Sequence, residues 1–161
     1  MTQSPWGPDD YIGALDLMPH PEGGHYRRTY TASAESGSRP VSTAIHFLLR
    51  GGEVSRLHRL PSDELWHFHA GDPLTVHLIH PDGRHESILL GPELWAGMVF
   101  QAAVPLGVWF GAERAAAGGQ GFSLVGNTVA PGFDFADLEL AERDVLLAQF
   151  PRHRAVIERL T

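Results

Sequence analysis

The chain has 161 residues, 43% hydrophobic and 19% charged, with 18 glycines, 12 prolines, no cysteine and a formal net charge of −7. That length suits one core at about 100–200 residues per domain, and a chain without cysteine has neither disulfides nor thiolate chemistry. The acidic balance and the scatter of the basic residues exclude a phosphate-neutralising stripe, so the expected partner is a small molecule and not a nucleic acid.

No window approaches the roughly 18 apolar residues that span a bilayer, so no membrane partner is expected. The opening "MTQSPWGPDDYIGALDL" has neither a basic n-region nor an apolar h-region, and the expected location is cytoplasmic. Asp9 and Asp10 are placed to cap a helix over residues 9–17, a lid or packing element that ends before Pro19 and "PEGG". Between about residues 25 and 130 short strand-like runs alternate with turn chemistry: "HYRRTYTA", "VSTAIHFLLR", "EVSRLHRL", "DELWHFHA", "PLTVHLIH", "RHESILL", "MVFQAAV", "GVWFGAE" and "GFSLVGNTV". Runs at this density imply a sandwich or barrel. Pro81-Asp82-Gly83-Arg84 reads as a hairpin with a tight primed turn, while "SAESGSRP" and "AERAAAGGQG" read as flexible connections. After "APGFDF" the spacing turns helical, and C-terminal helices are expected over about 137–160, packed outside the β body.

The stretch "RLHRLPSDELWHFHAGDPL" concentrates three of the ten histidines. Alternate residues of a strand share a face, so parity sorts them. If a turn at Gly71-Asp72-Pro73 joins two paired strands, Glu64, Trp66 and Phe68 share the interior with Leu74, Val76 and Leu78. His67, His69 and His77 then lie together outside, in a face completed by Leu65, Thr75 and Ile79. The same parity sets Arg56, His58 and Leu60 in register and makes His58 an interior neighbour of Glu64. A buried carboxylate there must find a partner or take up a proton.

This arrangement resembles the cupin superfamily, whose first motif runs His-x-His, three or four residues, Glu, six residues, Gly. Glu64 and Gly71 have the matching separation and His58 stands at the first histidine, but Leu60 replaces the second. The second motif, Pro-x-Gly-x-x-His, is similar to "PLGVWF", with Phe110 in place of histidine and Trp109 before it. The segments "HPEGGHYRRTY", "SDELWHFHAGDPL", "VPLGVW", "LVGNTVAPGFDF" and the terminal "FP" resemble a branch of small single-domain cupins, cupin type 5, across nearly the whole chain. The resemblance implies an all-β double-stranded β-helix, or jelly-roll barrel, with short flanking helices, one domain over residues 1–161, an internal pocket and a homodimer built on the sheets. Fold alone assigns no chemistry.

Of the usual set of three histidines and one glutamate, only His58 and Glu64 are left, so no metal and no other cofactor is expected. A weak metal at His58 and Glu64, or at His67, His69 and His77, is the competing reading. His58 beside Glu64 suits a general base held in one tautomer, and these two are the candidate catalytic residues. "PEGGHYRRTY" offers two glycines that let backbone approach a ligand, then Arg27 and Arg28 on opposite faces, one of which could fork onto a carboxylate or phosphate. Arg56, Gln101, Trp66 and Trp109 complete the candidate ligand-binding set, the indoles as pocket walls. The expected function is binding of a sugar-like or carboxylate- or phosphate-bearing metabolite, with metal-independent isomerisation or epimerisation as its enzymatic form, by analogy with metal-free sugar-epimerase cupins. The alternatives are a non-catalytic binding module with the same pocket and, on a weaker ligand count, a metal-dependent dioxygenase or hydrolase.

Overall fold

The structure, a computed structural model, describes residues 5–33, 35, 37–115 and 121–161. The connections expected at "SAESGSRP" and "AERAAAGGQG" lie partly outside these residues. Helix α1 (Pro8–Ala14) precedes the strands β1 (Met18–Pro19), β2 (His25–Thr31), β3 (Thr43–Arg50), β4 (Val54–Arg59), β5 (Asp63–Gly71), β6 (Leu74–Ile79), β7 (His85–Leu90), β8 (Gln101–Val104), β9 (Trp109–Arg114), β10 (Phe122–Ala130) and β11 (Glu139–Leu140). Helices α2 (Arg143–Gln149) and α3 (Arg154–Arg159) close the chain. One sheet runs β1-β2-β3-β10-β5-β8 and the other β11-β4-β9-β6-β7, with antiparallel neighbours in both. This is the jelly-roll arrangement of a cupin.

The main core fills the space between the sheets. Phe47, Leu49, Trp66, Leu74, Val76, Leu78, Phe110 and Val125 are buried there, drawn from alternate positions of β3, β5, β6, β9 and β10. A second cluster on the outer face of the β11-β4-β9-β6-β7 sheet joins Leu57, Ile79 and Trp109 to Leu146, Phe150, Val156 and Ile157 of the C-terminal segment. A third seats Tyr11, Ile12 and Leu15 of the N-terminal segment on Leu48, Phe122 and Leu124. The first helix ends earlier than the apolar spacing suggested, and its start is closed by Gly7 N–H donating to Asp10 Oδ2 at 2.9 Å.

Two expectations about turns need correction. Gly71-Asp72-Pro73 does not form a hairpin within one sheet: β5 pairs with β10 and β8, whereas β6 pairs with β7 and β9. The turn is a corner between sheets. A Cβ on Gly71 would lie 2.3 Å from Phe122 O, and the buried Asp72 accepts from Gly121 N–H at 2.9 Å and pairs with Arg114. A corner keeps inward residues inward but sends the outward residues of the two strands to opposite sides of the sandwich. His67 and His69 are therefore on one outer surface and His77 on the other, and the face expected from Leu65, His67, His69, Thr75, His77 and Ile79 does not exist as one surface.

The Asp82-Gly83 hairpin does form, but its loop has three residues. His80 N–H donates to Arg84 O and Gly83 N–H to His80 O, both at 2.9 Å. Gly83 alone among the loop residues takes positive φ, 85°, which suits a type I turn closed by a left-handed glycine better than a primed turn.

Candidate functional site

A cavity opens between the sheets against a loop that the sequence marks with "HPEGG". It is lined by His20 and Glu22 from that loop, Tyr26 and Arg28 from β2, Thr43 and Ile45 from β3, His58 from β4, Glu64 from β5, Asn127 and Val129 from β10, and Phe133. The glycines of the loop let it approach the protein's own backbone. Gly23 has φ 111°, and a Cβ there would stand 2.1 Å from Val54 O. Arg56 N–H donates to Glu22 O at 2.8 Å, and the Arg56 guanidinium to Pro21 O at 2.6 Å. The loop is thus clamped on β4, which turns the Glu22 side chain inward and buries it.

One hydrogen bond sets the tautomer of His58: its Nδ1 lies 2.7 Å from Arg56 O, and a carbonyl only accepts, so Nδ1 carries hydrogen. Its Nε2 lies 3.1 Å from Glu22 Oε2, so imidazole and carboxyl face one another in the cavity wall. Ser55 donates to Glu22 Oε1 at 2.8 Å and fixes the other carboxylate oxygen. The Phe110 ring packs on His58 with centroids 4.1 Å apart, holding the imidazole plane.

Burial favours the neutral form of His20. The Glu22 backbone N–H donates to His20 Nδ1 at 3.1 Å, which leaves the ring hydrogen on Nε2, and burial lowers its pKa although Glu22 pulls the other way. Glu64 has its pKa raised well above the ordinary carboxylate range, first by burial and then by the charge of Glu22, with the hydrogen bond from Asn127 opposing. Its surroundings therefore favour the protonated carboxyl. Asn127 Nδ2 donates to Glu64 Oε1 at 2.8 Å, while Asn127 Oδ1 is buried with no partner among the described residues.

Glu22, rather than Glu64, holds His58. The expected candidates separate further. Arg28 lines the cavity, donating from Nη2 to Phe133 O at 3.0 Å, whereas Arg27 points outward to Leu15 O and Asp16. Arg56 is exposed and spent on the loop, because β4 shifts register against β9 between Ser55 and His58 and the alternation that would have aligned it with His58 breaks there. Trp66 is wholly buried in the main core against Phe47 and Phe110, with Nε1 unpartnered among the described residues. Trp109 packs in the cluster under the C-terminal helices, with the Arg59 guanidinium 4.5 Å from its ring centroid. Gln101 is exposed and bonds His67 Nδ1 at 2.9 Å on the outer surface.

The outer histidines belong to two networks. His67 also meets Thr128 Oγ1 at 3.2 Å, and His69 is the extra residue where β5 bulges against β10, its ring over Gly126 and 5.8 Å from that of His46. On the opposite surface His77 Nε2 lies 3.0 Å from Glu113 Oε1, and His77 Nδ1 lies 3.2 Å from His85 Nε2. His20, Glu22, Tyr26 and Asn127 were missed as site residues. The available signal was a carboxylate between Pro21 and a glycine pair, a setting in which backbone geometry, not strand parity, aims the side chain.

The positions that bind metal in many cupins fall on His58, Leu60, Glu64 and Phe110. Leu60 and Phe110 are buried apolar residues of the main core, and both nitrogens of His58 are committed to Arg56 and Glu22. Among the described residues no three His, Asp or Glu side chains are grouped to hold a metal ion. The donor set at these positions does not fit a cupin metal centre.

Residues 9–141 match the family model Cupin_5: Cupin superfamily (DUF985). The chain is 31% identical over 156 residues to the uncharacterized protein YML079W of Saccharomyces cerevisiae, covering 85% of this chain and 76% of that one. Among solved structures, protein SO0799 from Shewanella oneidensis superposes with TM-score 0.91 and 46% identity over 97% of this chain and 98% of its own. A hypothetical protein from Leishmania major gives 0.90 and 37% over 97% and 99%. Oxalate decarboxylase from Bacillus subtilis shares the fold at TM-score 0.59 and 15% identity, with 91% of this chain covering 38% of that enzyme. The chain is a member of the Cupin_5 family of the cupin superfamily.

Proposed function

We propose that the chain binds a small polar metabolite in this cavity and acts on it as a metal-independent isomerase or epimerase. The observation that carries the reading is His58 Nε2 standing 3.1 Å from Glu22 Oε2 in a wall that also holds Glu64, whose pKa burial raises. The pair acts as a base: His58 Nε2 takes the proton and the adjacent Glu22 carboxylate stabilises the imidazolium that forms. It takes a proton from a carbon next to a carbonyl; the C–H electron pair moves into the new C=C bond and the carbonyl π pair onto its oxygen. The Glu64 hydroxyl hydrogen-bonds that oxygen as its charge develops. Returning a proton to the opposite face of the same carbon completes epimerisation; returning it to the neighbouring carbon completes isomerisation when the hydroxyl proton on the first carbon passes to the enolate oxygen and that hydroxyl becomes the new carbonyl, with no change in oxidation balance and no cofactor.

A non-catalytic binding module with the same pocket is the second reading, favoured by how completely Ser55 and His58 already occupy Glu22. Hydrogen–deuterium exchange from heavy water into small carbonyl compounds, followed by NMR, separates the two. Exchange that is lost in both His58→Ala and Glu22→Gln is the enzymatic result; ligand binding without exchange assigns the module.

A further inference from the structure

The cavity's own charges specify which end of a ligand enters it. The interior already holds the Glu22 carboxyl group, and burial beside it raises the pKa of Glu64 well above the ordinary carboxylate range. A second anion at that depth would meet the same penalty. The cation is elsewhere: Arg28 lines both the cavity and an outer groove formed with Tyr26, Phe133, Asp134 and Phe135. Nη2 is committed to Phe133 O, which leaves Nη1 and Nε, on different edges of the guanidinium, without a hydrogen-bond partner among the described residues and able to meet an anion at this threshold. Asp134 lies in the same groove, so the threshold suits one negative charge better than two.

The depth of insertion is also limited. The cavity is much narrower than the outer groove, so the interior takes only a small head. What it offers that head is the buried Glu64 carboxyl, whose environment favours its protonated form, and at Asn127 Oδ1 a buried acceptor with no partner among the described residues. A hydroxyl or keto oxygen answers both, and a methyl group answers neither.

We infer that the ligand is a short 2-oxo or 2-hydroxy monocarboxylate, bound with its carboxylate on Arg28 at the threshold and its uncharged oxygen-bearing head inside against Glu64 and Asn127. This rests on the reading of the cavity as the ligand site and narrows its ligand class. The 2-position oxygen is one bond from the carboxylate carbon, which fits a narrow interior behind a single cation.

Calorimetric titration of the full-length protein with pyruvate, D- and L-lactate, propionate, oxalate and hydroxyacetone tests it. Pyruvate or a lactate enantiomer should bind about tenfold or more tightly than propionate, which lacks the head oxygen, and than oxalate, which carries a second charge inward. Arg28→Ala should remove the preference for pyruvate over hydroxyacetone, and Asn127→Leu should bring lactate down to propionate, with both variants retaining the wild-type melting transition or being replaced by Arg28→Gln and Asn127→Ser. Equal binding of propionate overturns the head-group assignment, and tighter binding of oxalate overturns the placement of charge. Binding of hydroxyacetone alone refutes the monocarboxylate while leaving the cavity as the ligand site; no binding of any probe, with His58→Ala equally inert, refutes both.

Discussion

His58 Nε2 stands 3.1 Å from Glu22 Oε2, and these two side chains come from segments that share no strand pairing. The contact joins the "HPEGG" loop to β4 inside the sandwich and couples the two residues energetically. A double-mutant cycle with His58→Ala and Glu22→Gln should give a coupling of about 0.5–3 kcal/mol in urea denaturation at neutral pH. Additivity within the error of the measurement would mean that the two side chains do not interact.

Glu64 supplies a prediction with a definite sign. Its folded pKa lies above its unfolded value because burial, then Glu22, disfavours the carboxylate. The folded state therefore binds the extra proton, and this contribution to stability is complete below the unfolded pKa and is lost as pH rises through the folded one. Glu64→Gln should raise stability relative to wild type increasingly toward alkaline pH. Infrared difference spectroscopy should show a protonated carboxyl C=O band at neutral pH that disappears in this variant; a carboxylate band in its place would contradict the assignment.

The histidines run the other way. Burial is the first cause of a lowered pKa at His20, His69, His77 and His85, reinforced at His85 by His77, His153 and Arg159. The unfolded chain then binds more protons than the folded one below about pH 6.5, so stability falls as pH drops through that value toward the folded pKa values. His85→Asn should make the fall between pH 7 and pH 5 shallower, because it removes one of these groups and the neighbour that opposes protonation of His77. An unchanged slope would separate this pair from acid sensitivity.

Gly23→Ala tests the loop clamp. Positive φ at a non-glycine residue costs about 1–3 kcal/mol, and a Cβ placed 2.1 Å from Val54 O adds displacement of the loop. The melting temperature should drop, and the His58 imidazole resonances should shift as Glu22 withdraws. A variant with wild-type stability and unshifted His58 signals would show that the loop does not depend on this glycine.

The donor set at the cupin metal positions leads to a simple expectation. With Leu60 and Phe110 packed in the core, treatment with a chelator should leave the melting temperature unchanged. A fall that is reversed by one equivalent of zinc or manganese, and is absent from His58→Ala, would place a metal there after all.

Strand parity and turn chemistry were enough to read a sandwich or barrel, to send Glu64, Trp66 and Phe68 inward with Leu74, Val76 and Leu78, and to mark His58 as interior, because side-chain alternation is a local property of an extended backbone; the jelly roll itself followed from the resemblance to cupins. Local rules also expose where they end. A bulge in β4 took Arg56 out of step with His58, another in β5 displaced His69, and neither leaves a mark in composition. The sequence determined the fold, the family and half of the candidate pair. Which carboxylate meets His58, which arginine stands at the threshold and on which surface each histidine lies were decided only by tertiary structure, since a corner between sheets and a glycine loop clamped on β4 bring together residues whose separation along the chain carries no record of their contact.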